Sequence, residues 1–167
     1  FHYSFQQIGY LIFSVFACSF FLFLSSENLK KNYKVFLLFF LFLLVLVVMP
    51  DIGKTVNNST RWLSYGGLNI QPSEFFKLFY IIWLCAYLDY NKKNIHKFEI
   101  FIIPILCFFI SAILLLKQPD FGSTAVIFLM TFVMLFIARA KIFHLMTLFF
   151  SGAIGASILI YLSPERL

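Results

Sequence analysis

Six long apolar runs constrain this chain more than anything else in its sequence. They cover approximately residues 8–24, 33–49, 72–88, 100–116, 122–138 and 142–161. Each approaches the roughly 20 residues needed to cross the hydrocarbon of a bilayer, and tilt or flanking residues absorb a shortfall. Within lipid every backbone N–H and C=O needs an internal partner, so runs of this length and spacing form helices. The expected fold is therefore all-α: a polytopic transmembrane helical bundle of about six spans, forming a single transmembrane domain over residues 1–167. Composition agrees. Hydrophobic residues make up 62% and charged residues 12%, against roughly 45–50% and 25% in soluble domains. The first run is no simple secretory signal, because its flank HYSFQQ carries no positive charge and no small-residue cleavage site follows. A start at Phe1 without Met and a stop after SPER read as a piece of a longer protein.

The polar segments between the runs alternate in charge. One set holds Lys30, Lys31, Lys34, Lys92, Lys93, Lys97, Arg139 and Lys141, eight cations, and the other holds Lys54, Arg61, Lys117 and Arg166, four. The richer side is expected to be cytoplasmic, which puts segment 50–71, Asp120 and the carboxyl tail outside. The net charge of +6 is accounted for by these orienting residues, and no nucleic-acid partner is implied. Segment 50–71 has turn chemistry throughout (Pro50-Asp51, Gly53, Asn57-Asn58, Gly66-Gly67) and reads as a loop. Trp62 and Tyr65 suit an interfacial aromatic position.

Cys18, Cys85 and Cys107 lie inside apolar runs without CxxC spacing, so buried free thiols are expected, with no disulfide framework and no metal site. His2, His96 and His144 are scattered along the chain and read as solvated or interfacial. Small residues four apart, Gly152/Ala156 and Ser151/Gly155, allow close helix packing. No nucleophile–base set, phosphate-cradling loop or metal cluster is evident, and no cofactor; any need for a divalent cation stays open.

Charge inside an apolar run marks the candidate site. The stretch 61–88, RWLSYGGLNIQPSEFFKLFYIIWLCAYL, passes from a polar segment into a helix at Pro72, a residue suited to a first helical turn. Glu74 and Lys77 follow, three apart and so on one face. Charges at membrane depth usually meet partners or a water-filled cavity. Glu74 also suits the positive end of the helix dipole, and Lys77 either pairs with it or snorkels outward. Asp120, between Pro119 and Gly122-Ser123, has the setting of an N-cap, and Gln118 can donate and accept at the same mouth. From these residues alone the reading stops at a polytopic membrane protein with a charged, outward-facing cavity.

Arg61-Trp62, the glycine-containing turn and QPSEFFKL, together with the later block KQPDFGSTAVIFLMTFVMLFIA at 117–138, resemble the two motifs of the SEDS family (shape, elongation, division and sporulation; the FtsW/RodA/SpoVE type). Ser59-Thr60 stands where that family usually has a Gly-Ala pair, which leaves the local turn shape open. IGKTVN before Arg-Trp, and PDFGS rather than PDLGT, favour the division (FtsW) branch over the elongation (RodA) branch.

The resemblance implies spans two to seven of about ten. It also implies a peptidoglycan glycosyltransferase of the bacterial cytoplasmic membrane that polymerises lipid II, acting with a class B penicillin-binding protein and other division or elongation membrane proteins. Arg61, Gln71, Ser73, Glu74, Lys77, Gln118 and Asp120 would line the substrate cavity, with Trp62, Pro72, Pro119 and Gly122 as structural motif residues. Arg61 or Lys77 would hold the precursor's pyrophosphate. The catalytic aspartate would lie just beyond Leu167, so no catalytic residue is expected within 1–167. A lipid-linked precursor flippase, or a non-catalytic scaffold recruiting the transpeptidase, are the competing readings.

Overall fold

The structure, a computed structural model, describes residues 11, 15, 26–49, 53–56, 59–65 and 68–162. Apart from Leu11 and Val15, both helical, the first expected span lies outside the described residues, as do Cys18, Asn57-Asn58, Gly66-Gly67 and the SPERL tail. The order is α1 (Ser26–Lys31), α2 (Tyr33–Val48), β1 (Gly53–Val56), β2 (Ser59–Tyr65), β3 (Leu68–Ile70), α3 (Pro72–Tyr90), α4 (Phe98–Lys117), α5 (Phe121–Ile137) and α6 (Ile142–Leu162). The five apolar runs from residue 33 onward are thus helices, each within a few residues of its expected bounds. By length and composition α4 is long enough to cross a membrane, while α2 and α5 are shorter apolar helices.

Helix α3 is the centre of the packing, in contact with both α2 and α5. One of its faces carries an aromatic ladder, Phe76, Tyr80, Trp83 and Tyr87, with successive ring centroids 5.6 Å apart. On another face Phe79 stacks on Phe40 of α2 at 4.2 Å. Leu44 and Val47 of α2, Leu115 of α4, and Ile127 and Leu135 of α5 are fully buried. Outward residues remain apolar, among them Phe39, Phe42, Phe109, Phe136 and Phe150, as lipid-facing surfaces require.

Helix α4 is bridged to α3 by hydroxyl groups. Pro104 sits inside α4 and has no N–H, so the carbonyl of Ile100 loses its intrahelical donor. The Tyr87 hydroxyl donates to that carbonyl at 3.0 Å. One turn further along, Thr131 of α5 gives its proton to Ile127 O at 2.8 Å. The 2.7 Å contact between Tyr80 and Thr131 is therefore Tyr80 donating, with Pro104 O a second acceptor 3.5 Å away.

Helix α5 ends in a Schellman closure. Ala140 N–H reaches Leu135 O at 3.1 Å and Arg139 N–H reaches Phe136 O at 3.0 Å, with Arg139 at φ 60° in the position that glycine usually takes. At the same end of the bundle Lys30 of α1 pairs with Asp89 of α3 at 3.1 Å, and the hydrogen bond and charge of Asp89 hold the Lys30 ammonium above its ordinary pKa.

Segment 50–71 is where the sequence reading needs correction, since it holds an antiparallel sheet in the order β1-β2-β3 rather than a plain loop. Lys54 pairs with Trp62 and Val56 with Ser59, with a register shift at Lys54/Thr55, and Leu63 pairs with Ile70 and Tyr65 with Leu68. Gly53 seats the sheet on α2: a Cβ there would overlap the Val47 carbonyl and the Thr60 side chain. The cysteine expectation divides as well. Cys107 is buried but Cys85 is exposed on the outer face of α3. Among the small residues of α6, Gly152 lies against the Phe128 ring of α5, whereas Gly155 faces open space.

Candidate functional site

The sheet, the start of α3 and the α4–α5 turn gather at one end of the bundle, and the polar residues singled out in the sequence fall there in two sets. The first is the turn Lys117-Gln118-Pro119-Asp120. The last carbonyls of a helix need donors from outside it. Here Gln118 N–H and Asp120 N–H both return to Leu115 O, at 3.0 and 2.9 Å. Arg61, half-buried on the middle strand β2, donates to the carbonyls of the turn itself. Its Nε donates to Gln118 O at 3.0 Å and its Nη2 to Pro119 O. A guanidinium fork is shaped for paired acceptors of this kind, and a cation suits the negative end of a helix dipole.

Asp120 complements the opposite pole, at the start of α5. Its Oδ1 accepts the Ser123 N–H at 3.1 Å, and its carbonyl accepts the Thr124 hydroxyl at 2.8 Å. The N-cap expectation is thereby met. Gln118 is almost fully buried, 1% exposed, rather than standing at an open mouth. Its Nε2 donates to Leu44 O on α2 at 3.1 Å. Among the described residues Gln118 Oε1 and Asp120 Oδ2 are buried acceptors without a partner, an arrangement that costs free energy and is uncommon in folded proteins.

The second set belongs to the first turns of α3. Pro72 is buried at the helix start. Gln71 Nε2 donates to the Oγ of Ser73 at 3.0 Å, and Ser73 is fully buried. Lys77 Nζ donates to Glu74 Oε1 at 2.8 Å, the lysine side chain 19% exposed and the glutamate 57%. The expected pair is formed, with its carboxylate exposed and the lysine side chain mostly covered. An ammonium carries three N–H donors, so Lys77 keeps donors beyond the one Glu74 takes.

Trp62 is half-buried on β2 beside Arg61. Gly122 is exposed, and a Cβ there would meet only Asp120 Oδ1 at 4.0 Å, so packing does not demand glycine at that place. Sequence reasoning missed the contact of Arg61 with the α4–α5 turn, the docking of Gln118 on Leu44, and the hydroxyl bridges of Tyr80 and Tyr87. The Pro inside α4 and the Pro following its end were the available signals, because each removes a backbone donor. The partners that answer them lie far away along the chain.

Comparison with known proteins agrees with this architecture. The profile of the FtsW/RodA/SpoVE family, described as cell cycle protein, matches residues 1–167. A protein of Allochromatium vinosum named "Probable peptidoglycan glycosyltransferase FtsW" is 42% identical over 125 residues, covering 74% of this chain and 31% of the relative. One of the same name from Francisella salina is 35% identical over 166 residues, covering 99% of this chain and 41% of the relative. The chain thus spans well under half the length of these relatives. Among solved structures, the rod shape determining protein RodA of Thermus thermophilus superposes with a TM-score of 0.66 at 28% identity, over 79% of this chain and 43% of that one. A chain from a peptidoglycan synthase complex, described for its coordination of polymerization and crosslinking, reaches 0.78 at 25% identity, over 94% and 46%. The chain belongs to the FtsW/RodA/SpoVE family of cell cycle proteins, and with it to the polytopic helical membrane proteins.

Proposed function

We propose that this protein is a peptidoglycan glycosyltransferase of the bacterial cytoplasmic membrane, polymerising lipid II on the outer face together with a class B penicillin-binding transpeptidase. The names of its relatives support the reaction class. The observation that carries the reading within this chain is the Lys77 ammonium, held by Glu74 on the first turns of α3. An ammonium there, with N–H donors beyond the one Glu74 takes, suits an anionic group presented at the membrane surface, such as the pyrophosphate of a lipid-linked precursor. Lys77 is preferred to Arg61 for that role, because Arg61 already spends Nε and Nη2 on backbone carbonyls.

In the reaction a sugar hydroxyl of one precursor attacks the anomeric carbon of the other. The lipid pyrophosphate leaves, and the hydroxyl proton passes to a carboxylate acting as general base. Asp120 caps the start of α5, so the general base in this proposal is a carboxylate other than Asp120. The sheet end of the bundle would face outward. The opposite end carries Lys30, Lys31, Lys34, Lys92, Lys93, Lys97, Arg139 and Lys141 and would be cytoplasmic.

The test is to supply lipid II and the transpeptidase to the purified full-length protein in detergent. Glycan polymer is the expected product. Movement of lipid II between the leaflets of liposomes, with no polymer formed, would replace this reading by that of a flippase. For orientation, a cysteine replacing Lys117 should react with a membrane-impermeant thiol reagent added to intact spheroplasts, and one replacing Lys93 should not. The reverse pattern would invert the topology.

A further inference from the structure

We propose that Arg61 is a positioning residue, which ties the sheet to the α4–α5 turn and so fixes where Asp120 and the first turn of α5 sit, rather than a ligand of the substrate. In its kinetic part this rests on the glycosyltransferase reading above.

The turn needs such a tie for reasons present in its own sequence. Gln118 and Asp120 send their N–H groups back to Leu115 O, and Pro119 between them has no N–H to give. The guanidinium lies on the carbonyls of Gln118 and Pro119, the residues immediately before Asp120. Two further bonds complete the restraint: Gln118 Nε2 to Leu44 O and Asp120 Oδ1 to Ser123 N. The turn is therefore held from the sheet, from α2 and from α5. What this rigidity maintains is an acceptor with no partner among the described residues, Asp120 Oδ2, buried at 5% residue exposure. A group left in that state stays put only where its surroundings over-determine its position. Arg61 supplies the restraint that comes from the sheet. Its strand is the central one, with neighbours on both sides, and β2 packs on α2 and α3.

Lysine cannot replace it. An ammonium is a point donor, whereas two carbonyls of consecutive residues call for a planar fork. Arg61→Lys and Arg61→Ala are therefore expected to behave alike in the full-length protein. Amide hydrogen exchange at Ser123 and Thr124 should accelerate roughly tenfold or more in both, as expected when a charge-assisted hydrogen bond is lost. Protection in α3 should stay as in the wild type. In lipid II polymerisation kcat should fall roughly tenfold or more, with apparent KM changed less than about twofold, because substrate contacts are intact while the geometry is not.

A raised KM at unchanged kcat would make Arg61 a substrate ligand and overturn the proposal. Unchanged exchange at Ser123 and Thr124 would do the same, and so would a loss of protection spread through α3. If the wild-type protein makes no polymer, the glycosyltransferase reading fails, and the exchange measurement still decides the role of Arg61.

Discussion

Glu74→Ala and Lys77→Ala are each expected to abolish lipid II polymerisation, by about 100-fold or more, while leaving the fold essentially intact. The two halves of this expectation come from different parts of the geometry. The pair is short, 2.8 Å, but its carboxylate is 57% exposed, and exposed ion pairs contribute about 0–1 kcal/mol. Thermal midpoints of the variants should accordingly stay within about 4 °C of the wild type. On the functional side, Lys77 loses its anchor when Glu74 is removed, and the ammonium itself is lost in the other variant. The measurement is polymer formed per mole of monodisperse full-length protein, beside complementation of a depletion strain at matched protein levels. Wild-type polymerisation by both variants would reduce the pair to electrostatics at the start of a helix. Activity that fell only in proportion to folded protein would make it structural.

Tyr87→Phe should destabilise the protein by about 1–2 kcal/mol, between the cost of an orphaned buried acceptor in soluble proteins and the smaller values found between transmembrane helices. The cause is specific. Pro104 removes the donor that Ile100 O would have had, and the Tyr87 hydroxyl at 3.0 Å is the replacement. In a Pro104→Ala background the new N–H satisfies Ile100 O within α4, so the same Tyr87→Phe change should cost almost nothing. The checking measurement is a double-mutant cycle on the stability of the detergent-solubilised protein. A coupling energy near zero would show that the hydroxyl and the proline act independently and would sink the explanation. Simple loss of packing is controlled by the pair itself, since Tyr→Phe keeps the ring that stacks on Trp83.

The helices were the easiest part of this structure to foresee. A run such as 100–116 has few options in lipid, and α4 (Phe98–Lys117) extends it by only a residue or two. Asp120 as a cap was readable for the same kind of reason, since N-cap, first turn and apolar helix follow one another in a few residues. The sheet was not readable. Its strands are as short as Leu68–Ile70, and the Pro, Gly and Asn residues around them carry a turn signal stronger than the alternation within STRWLSY.

Arg61 shows a second limit. Its sequence neighbours mark it as important, but its partners are the carbonyls of Gln118 and Pro119, 57 and 58 residues away, and backbone carbonyls leave no signature in a sequence. That is why a substrate role was the natural expectation for it. Tyr87 and Pro104 are a closer case. Each was visible, and only the helix-to-helix placement joins them.

At the far end of α5, Arg139 holds a left-handed backbone conformation, φ 60°, that glycine adopts freely and other residues reach at a cost of roughly 1–2 kcal/mol. Glycine would give the tighter local stop but would be silent to the machinery that decides which way a span is inserted. Arginine carries a positive charge, placed directly behind an apolar helix and two residues before Lys141. On the orientation proposed above, the same residue would terminate one span and mark its end as cytoplasmic. In this helix stop, topogenic information is set against conformational ease.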